Sequence, residues 1–249
     1  MTGSRIWIPY CGAAPSPAEW LDRWNLDPAL LLLLAALPFL YHRLRREPLR
    51  TRRACFAAAW FMLLLLFISP FCALASALFS VRVVHHVLLT AVLAPMIVSA
   101  FPRSQAPIFR PLAAWTAAQA LIFWAWHSPD LYGQALSSDA IYWLMQASLL
   151  GSAAGFWSAL RIASPPAAVA ALLVTMVQMG LLGALLTFSG SPLYAPHLAS
   201  TAIWGLSPLE DQQLAGLIMW APSAGLYLAA ALIICARWLR RHERLPLPS

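Results

Sequence analysis

Four histidines of this chain stand where imidazole chemistry is expected: the adjacent pair His85 and His86, His127 after a tryptophan-rich run, and His197. A neutral imidazole is the commonest protein metal ligand near physiological pH. Together with the thioether of Met219, such a set suits copper. Polar residues cluster in the same stretches: Arg82, Asp130, Tyr132, Asp139, Gln146, Asp211, Gln212 and Gln213. On a helix, Arg82 shares a face with His85 at i, i+3 and with His86 at i, i+4. The two adjacent histidines point about 100° apart, so one is expected to face its helical neighbours while the other bonds a loop. Asp139, Tyr142 and Gln146 fall on one helical face. A buried Arg82 guanidinium calls for a carboxylate, and Asp211 or Asp130 is the expected partner. Met219 lies eight residues beyond Asp211, about 12 Å along a helix, which is deep for sharing a centre with His127.

The elements that carry these residues are set by composition. Hydrophobic residues make up 61% of the 249, charged residues only 10%, and mean hydropathy is +0.70. A soluble domain carries roughly a quarter charged residues. Disorder, collagen and a disulfide-stapled secreted scaffold are excluded by the same balance, and the chain reads as an all-α integral membrane protein. A bilayer core of about 30 Å needs about 20 mostly apolar helical residues. Seven stretches qualify: 28–44, 54–78, 83–101, 111–127, 139–160, 165–188 and 209–236. The first is the shortest, and flanking arginines would complete it by snorkelling. Residues 1–27 form an N-terminal segment too broken by proline and charge for a signal peptide, 28–240 the seven-helix domain, and 241–249 a tail.

All sixteen basic residues are arginine. With seven crossings, thirteen of the sixteen fall on one side, among them Arg45, Arg46, Arg103, Arg110 and Arg244. The positive-inside rule makes that side cytoplasmic and puts the N-terminus outside, the C-terminus inside. The histidine stretches then share the outer boundary, while His42 and His242 sit among inner arginines. A net charge of +7 is thus accounted for by topology, without nucleic acid.

Helix punctuation agrees. Ser128-Pro129, Ser164-Pro165 and Ser207-Pro208 each place a capping hydroxyl before a first-turn proline, and Ser207 with Glu210 has capping-box spacing. A short outer helix is expected from Asp130. Gly151-x-x-x-Gly155 permits a close helix approach. Pro38, Pro70, Pro95 and Pro222 fall within spans, where each frees a carbonyl that needs another partner. Cys11 and Cys72 share the outer side as a disulfide or a Cu(I) pair, whereas Cys55 and Cys235 read as small hydrophobes.

Arg82-Val-Val-His85-His86, Trp126-His127-Ser-Pro129-Asp130-Leu-Tyr132, Tyr142-Trp-Leu-Met145-Gln146 and Leu209-Glu210-Asp211-Gln212-Gln213 occur in that order. Together they resemble the multi-span CtaG family of cytochrome c oxidase assembly factors, with Asp211-Gln212-Gln213 the most specific part. The resemblance implies a bacterial inner-membrane protein that matures a haem–copper oxidase, partnered by oxidase subunits and periplasmic copper chaperones, with copper as the handled metal. One departure stands out. The family often opens the third span with histidine-methionine-x-glutamine-histidine; aligned on His86, its first histidine becomes Arg82 and its glutamine His85.

Other readings remain open at this point. Single interfacial histidines, like the twelve tryptophans, serve as membrane anchors. A metal-free scaffold for oxidase subunits, a bis-histidine haem protein and a permease are the alternatives, the last opposed by the absence of an internal repeat. No nucleophile–base pair or phosphate loop points to an enzyme.

Overall fold

A computed structural model describes residues 7, 9–44, 49–102 and 111–242. It is 79% helical and has no strand among the described residues. The helices are α1 (Pro28–Leu44), α2 (Arg50–Phe67), α3 (Pro70–Ala77), α4 (Phe79–Val87), α5 (Ala94–Ala100), α6 (Leu112–Trp126), α7 (Pro129–Ala135), α8 (Asp139–Leu160), α9 (Pro165–Thr187) and α10 (Pro208–His242). A π-helical turn, Leu88–Leu93, joins α4 to α5. Among the described residues three helices are long and apolar enough to cross a membrane: Phe79–Ala100, Pro165–Thr187 and Pro208–Arg241. A fourth is added if α2 and α3, bent by 47° at their junction, count as one span; α1 and α6 are apolar but shorter. Arg45, Arg46, Arg103, Arg110 and Arg244, which entered the charge count, and most of the 241–249 tail lie outside the described residues.

Each in-span proline cannot donate to the carbonyl one turn back, and in every case a side chain takes that carbonyl. Trp60 Nε1 donates to Leu34 O at 2.9 Å, four residues before Pro38. His85 Nε2 bonds Leu66 O at 3.1 Å, four before Pro70. Ser223 Oγ donates to Ile218 O at 3.0 Å, four before Pro222. In the π register, residue 95 would engage Thr90 O; Pro95 cannot, and Trp157 Nε1 donates there at 2.9 Å. Three of these bonds tie α1 to α2, α2 to α4, and the π turn to α8, so those broken helices become cross-links of the bundle, while the Ser223 bond stays within α10.

Close packing uses glycine where backbones meet. α9 and α10 share the most extensive helix–helix contact. A Cβ on Gly183 would stand 2.7 Å from Gly216 O and 2.9 Å from Trp220 N, so no side chain fits there. In the glycine pair of α8, Gly155 lies against the Trp115 ring, but the Cβ position of Gly151 faces open space. The close approach expected of both therefore holds at Gly155 alone. Cys11 and Cys72 form a disulfide with Cα atoms 5.6 Å apart, closing a 61-residue separation. The N-terminal segment is held further by Tyr10, which donates to Asp27 Oδ2 at 2.8 Å. Burial and that bond raise the Tyr10 phenol to about 12, and the same bond, with backbone donors, lowers Asp27.

Candidate functional site

The start of α4 is fixed by a residue from the far end of the chain. Helix N-termini leave N–H groups unpaired. Asp211, in the first turn of α10, accepts from Phe79 N at 2.6 Å and from Ser80 N and Ser80 Oγ at 3.2 and 2.5 Å. Gln212 is equally committed: its Oε1 accepts from Leu193 N at 2.7 Å, and its Nε2 donates to Leu186 O and Ser191 O at 3.4 and 3.3 Å. The half-buried Gln213 meets Thr187 through its backbone carbonyl. Ser207 N donates to Glu210 Oε2 at 2.7 Å, and Glu210 N donates to Ser207 Oγ at 3.2 Å, the reciprocal bonding that starts α10 at Pro208. The aspartate-glutamine-glutamine stretch is thus a joint: it clamps α4 and the loop after α9 onto α10.

With α4 so placed, Arg82, His85 and His86 are all fully buried. His85 is the repair donor at the α2–α3 break and sits among Phe67 and Phe71, its Nδ1 without a partner. His86 points to α6, where its ring lies 5.4 Å from that of His127 at 85°. Neither His86 nitrogen has a hydrogen-bond partner among the described residues. His127 ends α6. Its Nδ1 donates to Phe123 O at 2.7 Å, and its carbonyl accepts from Tyr194 at 2.7 Å. That donation fixes the tautomer and leaves the buried Nε2 as an unpartnered lone pair. The π turn follows directly on this stretch, a feature frequent at functional sites.

Arg82 does not pair with Asp211 or Asp130. Asp211 is occupied by the α4 backbone, and Asp130 is exposed on α7. The guanidinium carbon instead lies 5.5 Å from the centroid of the Tyr142 ring. Among the described residues it faces the Tyr132 and Tyr142 hydroxyls and meets no carboxylate, none of its nitrogens reaching full hydrogen-bond geometry. Gln146, one turn along α8 from Tyr142, is buried with both amide atoms unpartnered. The disulfide adjoins this layer, with Cys11 and Cys72 Sγ at 3.6 and 3.9 Å from the Tyr142 hydroxyl. Asp139 is exposed, outside the buried face that Tyr142 and Gln146 form.

His197 is a different case. Tyr132 donates its hydroxyl proton to Nε2 at 2.7 Å, and Nδ1 donates to Ala77 O at 3.2 Å. Both ring nitrogens are in use. Burial, aided by the Arg82 charge and opposed by the Ala77 bond, lowers its pKa to about 3, so the ring is neutral. Burial likewise pushes the Tyr132 and Tyr194 phenols up, with Arg82 partly opposing at Tyr132. Phe79 touches His127, Tyr132, Tyr194 and His197, and stacks at 3.7 Å on Tyr194. Met219 is buried in α10. Among the described residues no three histidine, cysteine or acidic side chains converge to hold a metal. The structure therefore offers an imidazole pair, His86 and His127, rather than the five-membered set of His85, His86, His127, His197 and Met219. Tyr194, which the sequence places with His197 in the outer loop before α10, reaches the site from that loop and donates to the His127 carbonyl, a bond that no local spacing could reveal.

Long apolar helices around a sealed, partly unpaired polar layer define a helical protein of the membrane type. The family model for the cytochrome c oxidase caa3 assembly factor matches residues 34–117 and 105–241, and the chain belongs to that family. No curated protein and no solved structure matches it.

Proposed function

We propose that this chain spans the bacterial inner membrane seven times, N-terminus outside, and holds copper as cargo for a caa3-type oxidase between His86 and His127. The observation that carries this reading is the pair of facing, buried imidazoles whose ligand nitrogens lack partners. Buried polar atoms in native proteins are almost always paired, so such a pair calls for an occupant. Two imidazoles in a closed site favour a monovalent ion over Cu(II), which wants a tetragonal ligand set. The unpaired Arg82 nearby disfavours a bare cation. Copper therefore enters with an anionic ligand, such as the thiolate of a periplasmic chaperone, that offsets the guanidinium. The arginine segregation supports the orientation. His85, His197 and Met219 act as supports in this reading, not ligands, and the role is one of assembly rather than catalysis.

Titration of the purified chain with Cu(I) tests the site. One equivalent is expected to bind, His86→Ala with His127→Ala is expected to abolish it, and His197→Gln is expected to keep it. Undiminished binding in the double variant would overturn the copper reading and leave a metal-free scaffold for oxidase subunits. Reporter fusions after residues 127 and 207 are expected to report the same outer compartment, and opposite compartments would remove the seven-crossing topology.

A further inference from the structure

At the opposite end of the bundle from the histidine layer, α5, α8, α9 and α10 enclose a cavity of about 670 Å³. That is within the roughly 300–1,000 Å³ of ordinary ligand pockets. Its chemistry is divided along its length. Val98, Leu160, Ala230, Ile233 and Ile234 make an apolar slot, and Arg161, Arg237 and Arg241 stand with Trp238 at the end of α10. Among the described residues no carboxylate lines it.

Three features give this end a common meaning. Arg237 and Arg241 are one helical turn apart on α10, a like-charge pair that repels itself when nothing lies between. Arg161, the first residue after α8, is pinned at the mouth by bonds to the Val98 and Phe101 carbonyls that end α5. Trp238 has the amphipathic ring favoured at the level of lipid headgroups. A cluster of guanidinium groups above an apolar slot between membrane helices matches a molecule with an anionic head and a hydrocarbon body.

We infer that this cavity is a binding site for an anionic phospholipid, its phosphate held by Arg161, Arg237 and Arg241 and one acyl chain lying along Ile233 and Ile234. Guanidinium suits phosphate because its planar fork donates two parallel hydrogen bonds. The occupant seals the gap between α5 and α10 on the arginine side, far from the imidazole pair. The inference holds whichever way the chain is oriented and independently of copper.

Native mass spectrometry of the full chain in detergent, with added phosphatidylglycerol or phosphatidylcholine, tests it. One phosphatidylglycerol is expected to be retained at collision energies that strip phosphatidylcholine. Arg237→Gln with Arg241→Gln is expected to weaken retention by about thirtyfold, at roughly 1 kcal/mol for each arginine near an anionic surface. Ile234→Trp, which fills the slot and leaves every charge in place, is expected to weaken it too; circular dichroism checks that both variants keep their helicity. Equal retention of the two lipids, or unchanged retention in both variants, would overturn the site. Displacement of the lipid by millimolar inorganic phosphate would also overturn it, since the pocket would then be one for the free anion.

Discussion

Two polar regions lie within one layer of this bundle and differ in a single respect. Around Asp211, Gln212 and His197, the buried donors and acceptors described above meet one another. Around Arg82, His86, His127 and Gln146, they do not. A saturated network fixes geometry, because breaking any member strands the rest in a low-dielectric interior. An unsaturated cluster costs stability and persists only where something binds. The comparison reverses the weight that the sequence assigns: the stretch most specific to the family builds the frame, and the chemistry falls to residues it positions.

Breaking the frame is expected to cost most. Reducing the Cys11–Cys72 disulfide, which closes a 61-residue separation, should lower stability by about 4 kcal/mol by the loop-entropy relation. Denaturant unfolding with and without reductant checks this. Asp211→Ala removes the acceptor of three bonds at the start of α4 and should cost about 3 kcal/mol, read as a lower unfolding midpoint. A copper affinity that stayed intact in Asp211→Ala would contradict the positioning of the imidazole pair by this frame.

Acid should act on the frame as well. His197 has a folded-state pKa of about 3 against an ordinary 6.5, so between these values the unfolded chain binds more protons. The contribution is present above pH 6.5 and is lost as pH falls toward 3. At pH 5 the loss relative to pH 7 is about 2 kcal/mol. It should be seen as a steeper pH dependence of unfolding in the wild type than in His197→Gln; parallel curves would contradict the neutral, doubly bonded ring. The smallest stability effect is expected where function is largest. His86→Leu keeps most of the volume of the ring and removes two buried nitrogens without partners among the described residues, and should shift the free energy of unfolding by less than about 1 kcal/mol.

Much of the frame was legible in advance because it rests on local rules. The apolar helix expected at 28–44 is α1 (Pro28–Leu44), and the Ser207–Glu210 spacing marks the start of α10, since capping and hydropathy act within a few residues. The partners of the freed carbonyls were not legible. Nothing local connects Trp60 to Leu34, or His85 to Leu66, because those contacts arise only when separate helices pack. The same limit hid the true role of Asp211. Charge alone makes it a candidate partner for the Arg82 guanidinium, yet in the structure it accepts from backbone N–H groups at the start of α4. His86 and His127 were identifiable as types but not as a pair, since their meeting depends on how the separate helices α4 and α6 pack.

The central claim is that the unpaired imidazoles, not the saturated frame, serve the oxidase. It is tested most directly by the copper-to-haem ratio of the caa3-type oxidase isolated from a strain whose only copy of this chain carries His86→Ala and His127→Ala. The account predicts an oxidase that retains its haem, loses copper, and is accompanied by normal amounts of the variant protein. A full copper complement in that oxidase would contradict it.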